Sequence, residues 1–310
     1  MERRAILDLG TNTFNLLVVE WPSMAVVHSS ELPVFLGQGG IEQGLLTDAA
    51  MERGMEALRG HARTAAELGA NGAVGFGTSA LRSARNGASF VERVREELGI
   101  VITIIPGDEE ATLILEGVRQ AVPFGKKPAL VMDIGGGSIE FILATDKALM
   151  WERSFELGVT RLRERIPVQD PMTMTDQLRL GAHLDDRLAP LYAVMDRHWP
   201  DTLVGSAGSF DTLAAMIAAE RGMDFADTDR TLTFTALEFD QLKDKLLGMD
   251  RAERARVPGM PAHRVETIPY ALVAIERVLA HGITRIHWSR YALKEGAAWR
   301  MLHGTGTLDR

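Results

Sequence analysis

The chain has 310 residues, of which 46% are hydrophobic and 25% are charged, as in ordinary globular proteins. It contains no cysteine, which excludes disulfide bonds, thiolate metal sites and a cysteine nucleophile. The formal net charge of −8 argues against a broadly basic surface for nucleic acid or for an anionic membrane.

The first elements of the chain predict an antiparallel meander. The N-terminus begins with charged residues and lacks the apolar core of a signal peptide, so we expect a cytoplasmic protein. Strands are predicted at 5–10, 14–20 and 24–36. Helices and strands then alternate, which predicts α/β layers. These later elements are a helix at 48–68, a strand at 72–77, a helix at 88–98, a strand at 101–105 and a helix at 108–121.

The pattern starts again after the connection VPFGKKP at 122–128. DLGTNTFNLLVV, from Asp8, aligns with DIGGGSIEFILA, from Asp133, so that an acid, a glycine, a hydroxyl residue and an apolar tail coincide. This repeat, about 125 residues apart, predicts two related domains, 1–122 and 123–290, with an active-site cleft between them. A last helix at about 291–310 is expected to pack back on the first domain.

Glycine-rich turns follow strands and predict anion sites. Gly135–Gly137 lets backbone amides approach an anion without a Cβ in the way, although a tight hairpin turn is the ordinary alternative. A third turn, within 202–216, places small residues at a helix start, where free amides and the helix dipole favour negative charge. The remaining predicted elements are helices at 173–198, 235–247 and 265–281 and a strand at 285–289.

Six segments resemble the exopolyphosphatase and guanosine pentaphosphate phosphohydrolase family, within the actin-like ATPase superfamily. They are AILDLGTNTFNLLVVE at 5–20, GTSALRSARN at 77–86, PGDEEATLILEGV at 106–118, VMDIGGGSIEFILA at 131–144, GSAGSFDTLA at 205–214 and SRYALKEGA at 289–297. The resemblance implies an α/β fold of two actin-like, ribonuclease H-like domains, with mixed sheets flanked by helices. It also implies Mg²⁺-dependent removal of a terminal phosphate.

The resemblance implies roles for individual residues. Glu110 is expected to activate water and Glu140 to be the second catalytic carboxylate, both in a solvated cleft. Asp133 is expected to bind Mg²⁺, with Asp8 and Glu140 as further candidate ligands, and Arg82 is expected to clamp phosphate. The other phosphate-contacting residues would be Gly10, Thr11, Asn12, Gly135, Gly136, Gly137, Ser138, Gly208 and Ser209.

The residue types alone, without the resemblance, are also consistent with structural roles. Acids such as Glu110 are favoured at a helix start by the dipole, and an arginine such as Arg82 is ordinarily solvated. The four arginines of 251–264 predict a solvated helix face more simply than a track for distal phosphates. Ile139 stands where the family usually has threonine, so we expect one hydroxyl contact to be missing.

The leading hypothesis is a phosphoanhydride hydrolase that releases terminal orthophosphate from inorganic polyphosphate, with guanosine pentaphosphate as the alternative substrate. An actin-like small-molecule kinase and a non-catalytic nucleotide-binding scaffold are further alternatives. Longer family members carry an additional helical domain that these 310 residues do not include, so we expect distributive hydrolysis. We expect no nucleic-acid or membrane partner, and a homodimer is an open expectation.

Overall fold

The computed structural model describes residues 2–304, which form two units. Of the described residues, 2–117 and 292–304 form unit 1, and Val118–Tyr291 form unit 2. Within the described residues, none of the helices has the length and apolar character needed to cross a membrane.

Five strands and four helices come first along the chain. The strands are β1 (Glu2–Leu9), β2 (Thr13–Trp21), β3 (Val26–Pro33), β4 (Ala70–Gly77) and β5 (Val101–Ile104). The helices are α1 (Asp48–Glu67), α2 (Ser79–Ser83), α3 (Gly87–Leu98) and α4 (Gly107–Ala121).

The later strands and helices follow in the same alternating manner. The strands are β6 (Ala129–Ile134), β7 (Ile139–Ala144), β8 (Leu149–Phe155), β9 (Thr202–Ser206), β10 (Thr231–Thr235) and β11 (Arg285–Ser289). The helices are α5 (Val159–Arg165), α6 (Met174–His198), α7 (Ala207–Glu220), α8 (Ala236–Leu247), α9 (Arg251–Arg254), α10 (Ile268–Leu279) and α11 (Leu293–His303).

The sheet of unit 1 has the order β3-β2-β1-β4-β5. β1 lies at its centre, antiparallel to β2 and parallel to β4. The helix α1 covers this sheet because buried residues such as Ala50, Leu58 and Ala65 recur on one face. Its start is fixed by Thr47, whose side chain accepts a hydrogen bond from the amide of Ala50.

The sheet of unit 2 repeats this arrangement and adds one strand, in the order β10-β11-β9-β6-β7-β8. Here β6 is antiparallel to β7 and parallel to β9, as β1 is to β2 and β4. In each unit the parallel neighbour leads almost directly into a helix, β4 into α2 and β9 into α7. The carboxyl ends of parallel strands are where open α/β sheets bind ligands, so these edges are the candidate ligand-binding regions.

The sequence missed four elements and displaced others. Most side chains of β8 and β10 are exposed or half-buried, and α2 and α5 are too short to show helical periodicity. The helix predicted at 265–281 begins only at Ile268. The helix predicted at 291–310 is observed as α11, which packs on β1 and β2, and positions 305–310 of that prediction lie outside the described residues.

Helices α4 and α11 cross at two glycines in unit 1. A Cβ on Gly117 would overlap a backbone oxygen of the facing segment, and a Cβ on Gly296 would overlap a backbone oxygen of α4. The buried guanidinium of Arg300 fastens the crossing, because it donates to both carboxylate oxygens of Glu116 at 2.9 Å and also pairs with Glu109. The position of α4 relative to α11 therefore depends on this contact.

Gly117→Ala and Gly296→Ala should each lower the free energy of unfolding by about 1–3 kcal/mol, because the new methyl group overlaps backbone atoms. Gly60→Ala in α1 is the matched control, since nothing lies within 4 Å of its added Cβ. Alanine is favoured over glycine inside a helix by about 1 kcal/mol, so this control should stabilise the protein. Urea denaturation measures all three, and equal effects would contradict the tight crossing.

Candidate active site

The first glycine turn, Gly10–Thr13, joins β1 to β2. The amide of Gly10 donates to the carbonyl oxygen of Thr13 at 3.0 Å. The carbonyl groups of Thr11 and Asn12 accept hydrogen bonds of 2.8 to 3.1 Å from amides within residues 34–37. Thr11 is buried, and its hydroxyl has no hydrogen-bond partner among residues 2–304. The turn thus holds its carbonyl groups on one side and contains one buried hydroxyl that no described group bonds.

A second buried hydroxyl lies at the end of the neighbouring parallel strand. Thr78 follows β4 and bonds the carbonyl oxygen of Leu9 through its amide at 3.3 Å and its hydroxyl at 3.2 Å. The next residue, Ser79, is buried, and its hydroxyl lacks a partner in the described part of the chain. Because a buried, unpaired polar group costs about 1–3 kcal/mol, a ligand that bonds these hydroxyls would remove a penalty.

Asp8 lies opposite Asn15 in the β1–β2 pair. Its carboxylate oxygen Oδ2 accepts a hydrogen bond from the side-chain nitrogen Nδ2 of Asn15 at 3.0 Å. Burial raises the pKa of Asp8 to about 6, against the opposing influence of the Lys294 charge and the Asn15 hydrogen bond. The ammonium group of Lys294 already supplies positive charge to this carboxylate. Asp8 is therefore a weaker candidate for a metal ligand than an acid without a neighbouring cation.

Glu110 lies in the first turn of α4 and is only 6% exposed. Arg82, from α2, donates through Nη1 to Glu110 Oε2 at 2.8 Å and to the carbonyl oxygen of Ile105 at 2.9 Å. Within residues 2–304, Nε and Nη2 of Arg82 make no hydrogen bond. The structure therefore joins two predicted site residues in one ion pair, whose guanidinium retains donors for an anion.

Asp133 and Glu140 are direct partners in the β6–β7 pair. Residues opposite each other in antiparallel strands lie on the same face, with Cβ atoms about 5 Å apart. Ser206 donates its hydroxyl to Asp133 Oδ2, and Ser154 donates its hydroxyl to Glu140 Oε1, each at 2.6 Å. Unit 2 thus holds two neighbouring carboxylates, each oriented by a serine.

The second glycine turn, Gly135–Ser138, joins β6 to β7. The amide of Gly135 donates to the carbonyl oxygen of Ser138 at 3.1 Å, the same bond as in the first turn. The carbonyl groups of the three glycines all accept hydrogen bonds from Val159–Arg161, at the start of α5. These bonds are 2.8 to 3.2 Å long, and the one to Gly137 comes from the buried guanidinium of Arg161.

The hydrogen bonds to the glycine carbonyl groups also orient the backbone amides of the turn. A trans peptide group directs its N–H opposite to its C=O, so Gly136, Gly137 and Ser138 direct their amides away from α5. A hydrogen bond to the carbonyl of a peptide group strengthens its N–H as a donor. None of these three amides donates to another group in residues 2–304. Successive amides of this kind form a concavity suited to an anion.

Gly158 permits the close approach of α5 to the turn. An added Cβ would overlap backbone atoms of Gly136 and Gly137, and its φ of −60° and ψ of 154° are open to any residue. The requirement for glycine is therefore steric contact with the turn, rather than backbone conformation.

The third turn, Ser206–Ser209, comprises the last residue of β9 and the first residues of α7. Ala207 has a φ of 63°, a left-handed conformation that is uncommon for a residue with a Cβ. The guanidinium of Arg264 bonds the carbonyl oxygen of Gly208 and the hydroxyl of Thr212, the latter at 3.1 Å. A Cβ on Gly208 would overlap that guanidinium. The close approach of Arg264 is thus sufficient to explain a glycine at position 208.

Two expectations about side-chain surroundings are wrong. Glu110 and Glu140 are not solvated, since they are 6% and 1% exposed. The arginines of 251–264 do not form a uniformly solvated face, because Arg254 is 3% exposed and pairs with Asp170. Both errors arise because local polarity in a sequence does not report the tertiary neighbours that bury a charge.

Ile139 is fully buried in the hydrophobic core of unit 2, packed with residues such as Ile134 and Phe141. A side chain at this position lies in the core and not beside the carboxylates, so its identity need not remove a contact with the turn.

Several residues that position the candidate site were not predicted. Ser154, Ser206 and Arg161 hold groups in unit 2, and Ser79 contributes an unpaired hydroxyl in unit 1. Ser206 ends a strand beside β6, and this topology was the one signal that could have found it. Ser154 and Arg161 lie on or beside elements that the sequence did not reveal.

The donor set of unit 2 suits a hard divalent cation. No group of three or more His, Asp or Glu side chains with metal-binding geometry occurs in the described part of the chain. Magnesium does not require one, because it usually binds through one or two carboxylates and completes its shell with waters and substrate phosphates. Asp133 and Glu140 provide such a pair on one sheet face.

In both units a mixed sheet flanked by helices carries glycine turns beside the carboxyl ends of its strands, which is the actin-like fold that the sequence predicts. The chain belongs to the Ppx/GppA phosphatase family, which it matches over residues 18–305. The prediction of a hydrolase of this family is thus confirmed.

Individual relatives agree with this assignment. Exopolyphosphatase 1 of Mycobacterium tuberculosis is 30% identical over 97% of this chain and 88% of its own length. The crystal structure of an exopolyphosphatase from Cytophaga hutchinsonii is 35% identical, with a TM-score of 0.95 over 98% of this chain and 99% of that chain. The Ppx/GppA family member of Aquifex aeolicus, at 23% identity and a TM-score of 0.78 over 99% of each chain, shares the fold.

Gly158→Ala should displace the second turn, and a misplacement of about 1 Å at a reacting group can cost about 10²-fold in rate. We expect kcat/KM for phosphate release to fall by about that factor. Gly125→Ala, in the same unit, is the control, because nothing lies within 4 Å of its added Cβ. Steady-state kinetics with melting curves checks this, and normal kinetics in Gly158→Ala would show that the contact with α5 does not shape the turn.

Proposed function

We propose that this protein is an exopolyphosphatase that releases terminal orthophosphate from inorganic polyphosphate. The observation that carries the proposal is the second glycine turn, whose carbonyl groups are bonded by α5 while its amides remain available for an anion. A terminal phosphoryl group carries several anionic oxygens that such amides can bind. The names of the mycobacterial and Cytophaga relatives support polyphosphate as the substrate.

In the proposed reaction, Glu110 is the general base. A water oxygen attacks the terminal phosphorus, and its proton passes to the Glu110 carboxylate. The bond between that phosphorus and the bridging oxygen breaks, and the oxygen keeps the electron pair as the new end of the shortened chain. Arg82 holds the carboxylate through the 2.8 Å ion pair, and its remaining donors bind a phosphoryl oxygen. No side-chain nucleophile is needed, because a phosphoanhydride is already activated.

The other predicted residues take part through backbone and hydroxyl groups. We assign phosphate contacts to Gly10, Thr11 and Asn12 in the first turn, and to Gly136, Gly137 and Ser138 in the second. The buried, unpaired hydroxyl of Thr11 supports its assignment. Asp133 and Glu140 would hold Mg²⁺, which supplies charge neutralisation for the phosphate oxygens when it is bound.

Guanosine pentaphosphate is the second candidate substrate, because the family includes phosphatases of both kinds. It ends in the same phosphoanhydride, so the glycine turns suit it equally. What would distinguish it is recognition of the guanosine, and we assign no residue to that task.

The direct test compares phosphate release from inorganic polyphosphate, guanosine pentaphosphate and ATP at equal concentrations of terminal phosphate. The proposal expects the highest kcat/KM for polyphosphate. A preference for guanosine pentaphosphate would transfer the assignment to the second candidate. Release from ATP only in the presence of a small acceptor would indicate a kinase and overturn the proposal.

Glu110→Gln should lower kcat by about 10²–10⁴-fold, because the amide cannot accept the proton of the attacking water. Asp108→Asn is the matched control, since it removes an exposed acid two residues earlier on the same helix. Melting curves must accompany the kinetics, because Glu110 is buried and paired. A folded Glu110→Gln enzyme with normal turnover would exclude Glu110 as the base.

Chelation of divalent metal should abolish phosphate release, and added Mg²⁺ should restore it. Glu140→Gln retains the acceptor for Ser154 but loses a charge, so it should raise the Mg²⁺ concentration needed for half-maximal activity about tenfold or more. Asp146→Asn, an exposed residue of the same unit, should leave that concentration unchanged. An unchanged requirement in Glu140→Gln would remove Glu140 from the metal site.

A further inference from the structure

Unit 2 contains a cavity of about 260 Å³ between the connection from α5 to α6 and the segment from α9 to α10. Its floor is apolar and includes Met172, Pro269 and the ring of Tyr270, whose hydroxyl is bonded to the carbonyl oxygen of Ile166. A volume of this size suits a small ligand, because drug-sized ligands occupy pockets of about 300–1,000 Å³.

The side chains that line the cavity carry more positive than negative charge. Three guanidinium groups and two carboxylates line it, and these belong to Arg163, Arg251, Arg254, Asp170 and Glu266. Arg254 is buried and is satisfied by Asp170 at 2.6 Å and by the backbone. The other two arginines share one carboxylate, which leaves the rim with one excess positive charge.

This sharing leaves donors available. Arg163 bonds one oxygen of Glu266 through Nη2, and Arg251 bonds the other oxygen through Nη1. Each guanidinium has five N–H groups in a planar fork, and neither side chain makes a further hydrogen bond or ion pair within residues 2–304. Two forks that converge from separate helices can therefore bind oxygen atoms of one small anion.

We propose that this cavity binds a phosphate-class anion, with Arg163 and Arg251 as its donors and Glu266 as the group that competes with it. The chain is a phosphatase, so the small oxyanion that accumulates around it during turnover is orthophosphate. Arginine forks match the oxygen geometry of phosphate. The proposal goes beyond the proposed function, because it does not depend on which phosphate ester or anhydride the enzyme hydrolyses.

The cavity also adjoins elements that shape the glycine turns. Arg163 lies on α5, two residues after Arg161, which bonds Gly137. Glu266 follows two residues after Arg264, which bonds Gly208. The donor Arg163 and the competing Glu266 therefore share short backbone segments with the arginines that hold two of the turns.

The test is calorimetric titration with inorganic tripolyphosphate in the presence of a metal chelator, with ³¹P NMR to verify that the probe stays intact. The double variant R163Q/R251Q should bind one equivalent fewer than the wild-type protein, or bind it at least tenfold more weakly. Both side chains are substantially exposed, at 44% and 68%, so the fold should survive. Arg197→Gln removes an exposed charge elsewhere in the unit and should leave the stoichiometry unchanged.

Glu266→Gln gives a result that a structural role would not produce. Removal of the competing carboxylate frees both guanidinium groups, so the affinity of the cavity for the probe should rise about tenfold. Identical stoichiometry and affinities in the wild-type protein and R163Q/R251Q would overturn the proposal. Weaker binding of tripolyphosphate to the cavity in Glu266→Gln would also overturn the proposal.

These binding results do not depend on the proposed function. Binding is measured without turnover, and the result is the difference between the wild-type protein and the double variant. Steady-state kinetics then identifies the source of the phosphate, and either of two results supports the site. A higher KM in R163Q/R251Q for long polyphosphate, but not for tripolyphosphate, identifies the occupant as part of the substrate chain. If the turnover of R163Q/R251Q no longer responds to added orthophosphate as that of the wild-type protein does, the occupant is free orthophosphate.

Discussion

The hydrogen bonds from the start of α5 to three consecutive glycine carbonyl groups are the constraint on which the candidate site of unit 2 depends. Glycine residues are costly to order, and a run of them would not keep one conformation without outside contacts. The amides of Val159–Arg161 and the Arg161 guanidinium supply those contacts. Because each peptide group is rigid, fixing its carbonyl also fixes its N–H, and the turn becomes a preorganised set of donors.

Unit 1 reaches a similar result with different residues. Its turn contains one glycine, and a loop at 34–37 replaces α5 as the source of amides to the turn carbonyl groups. Near this turn, unit 1 also has buried hydroxyls at Thr11 and Ser79 that no described group bonds. The carboxylate pair of unit 2 is reduced to Asp8 and Asn15, which lowers the negative charge available for a cation. The repeat therefore conserves backbone geometry more closely than side-chain chemistry.

Much of this architecture is predictable from the sequence. The alignment of Asp8 with Asp133 predicts the repeated hairpin, and the structure places Asn15 and Glu140 opposite those acids as the alignment requires. The alternation of apolar strands with helices predicts the α/β layers. These features are local in sequence, so periodicity and turn chemistry reveal them.

The remainder depends on contacts between distant segments. Arg161 lies 24 residues after Gly137, on a helix too short to have a periodic signal. The burial of Glu110 follows from the packing of α4, which itself requires the glycine crossing with α11. Arg264 explains Gly208 through a contact that spans 56 residues. No local pattern encodes such pairings, and they decide which predicted side chains are buried, paired or available.

In the proposed site the amides of Gly136 and Gly137 bind the phosphoryl group. NMR of protein labelled with ¹⁵N-glycine, titrated with a non-hydrolysable imido analogue of tripolyphosphate in the presence of Mg²⁺, tests this assignment. We expect these two amide proton signals to move downfield and saturate together, while that of Gly125, remote in sequence from the turn, stays unchanged. Saturable binding of the analogue without any shift of the Gly136 and Gly137 signals would contradict the claim.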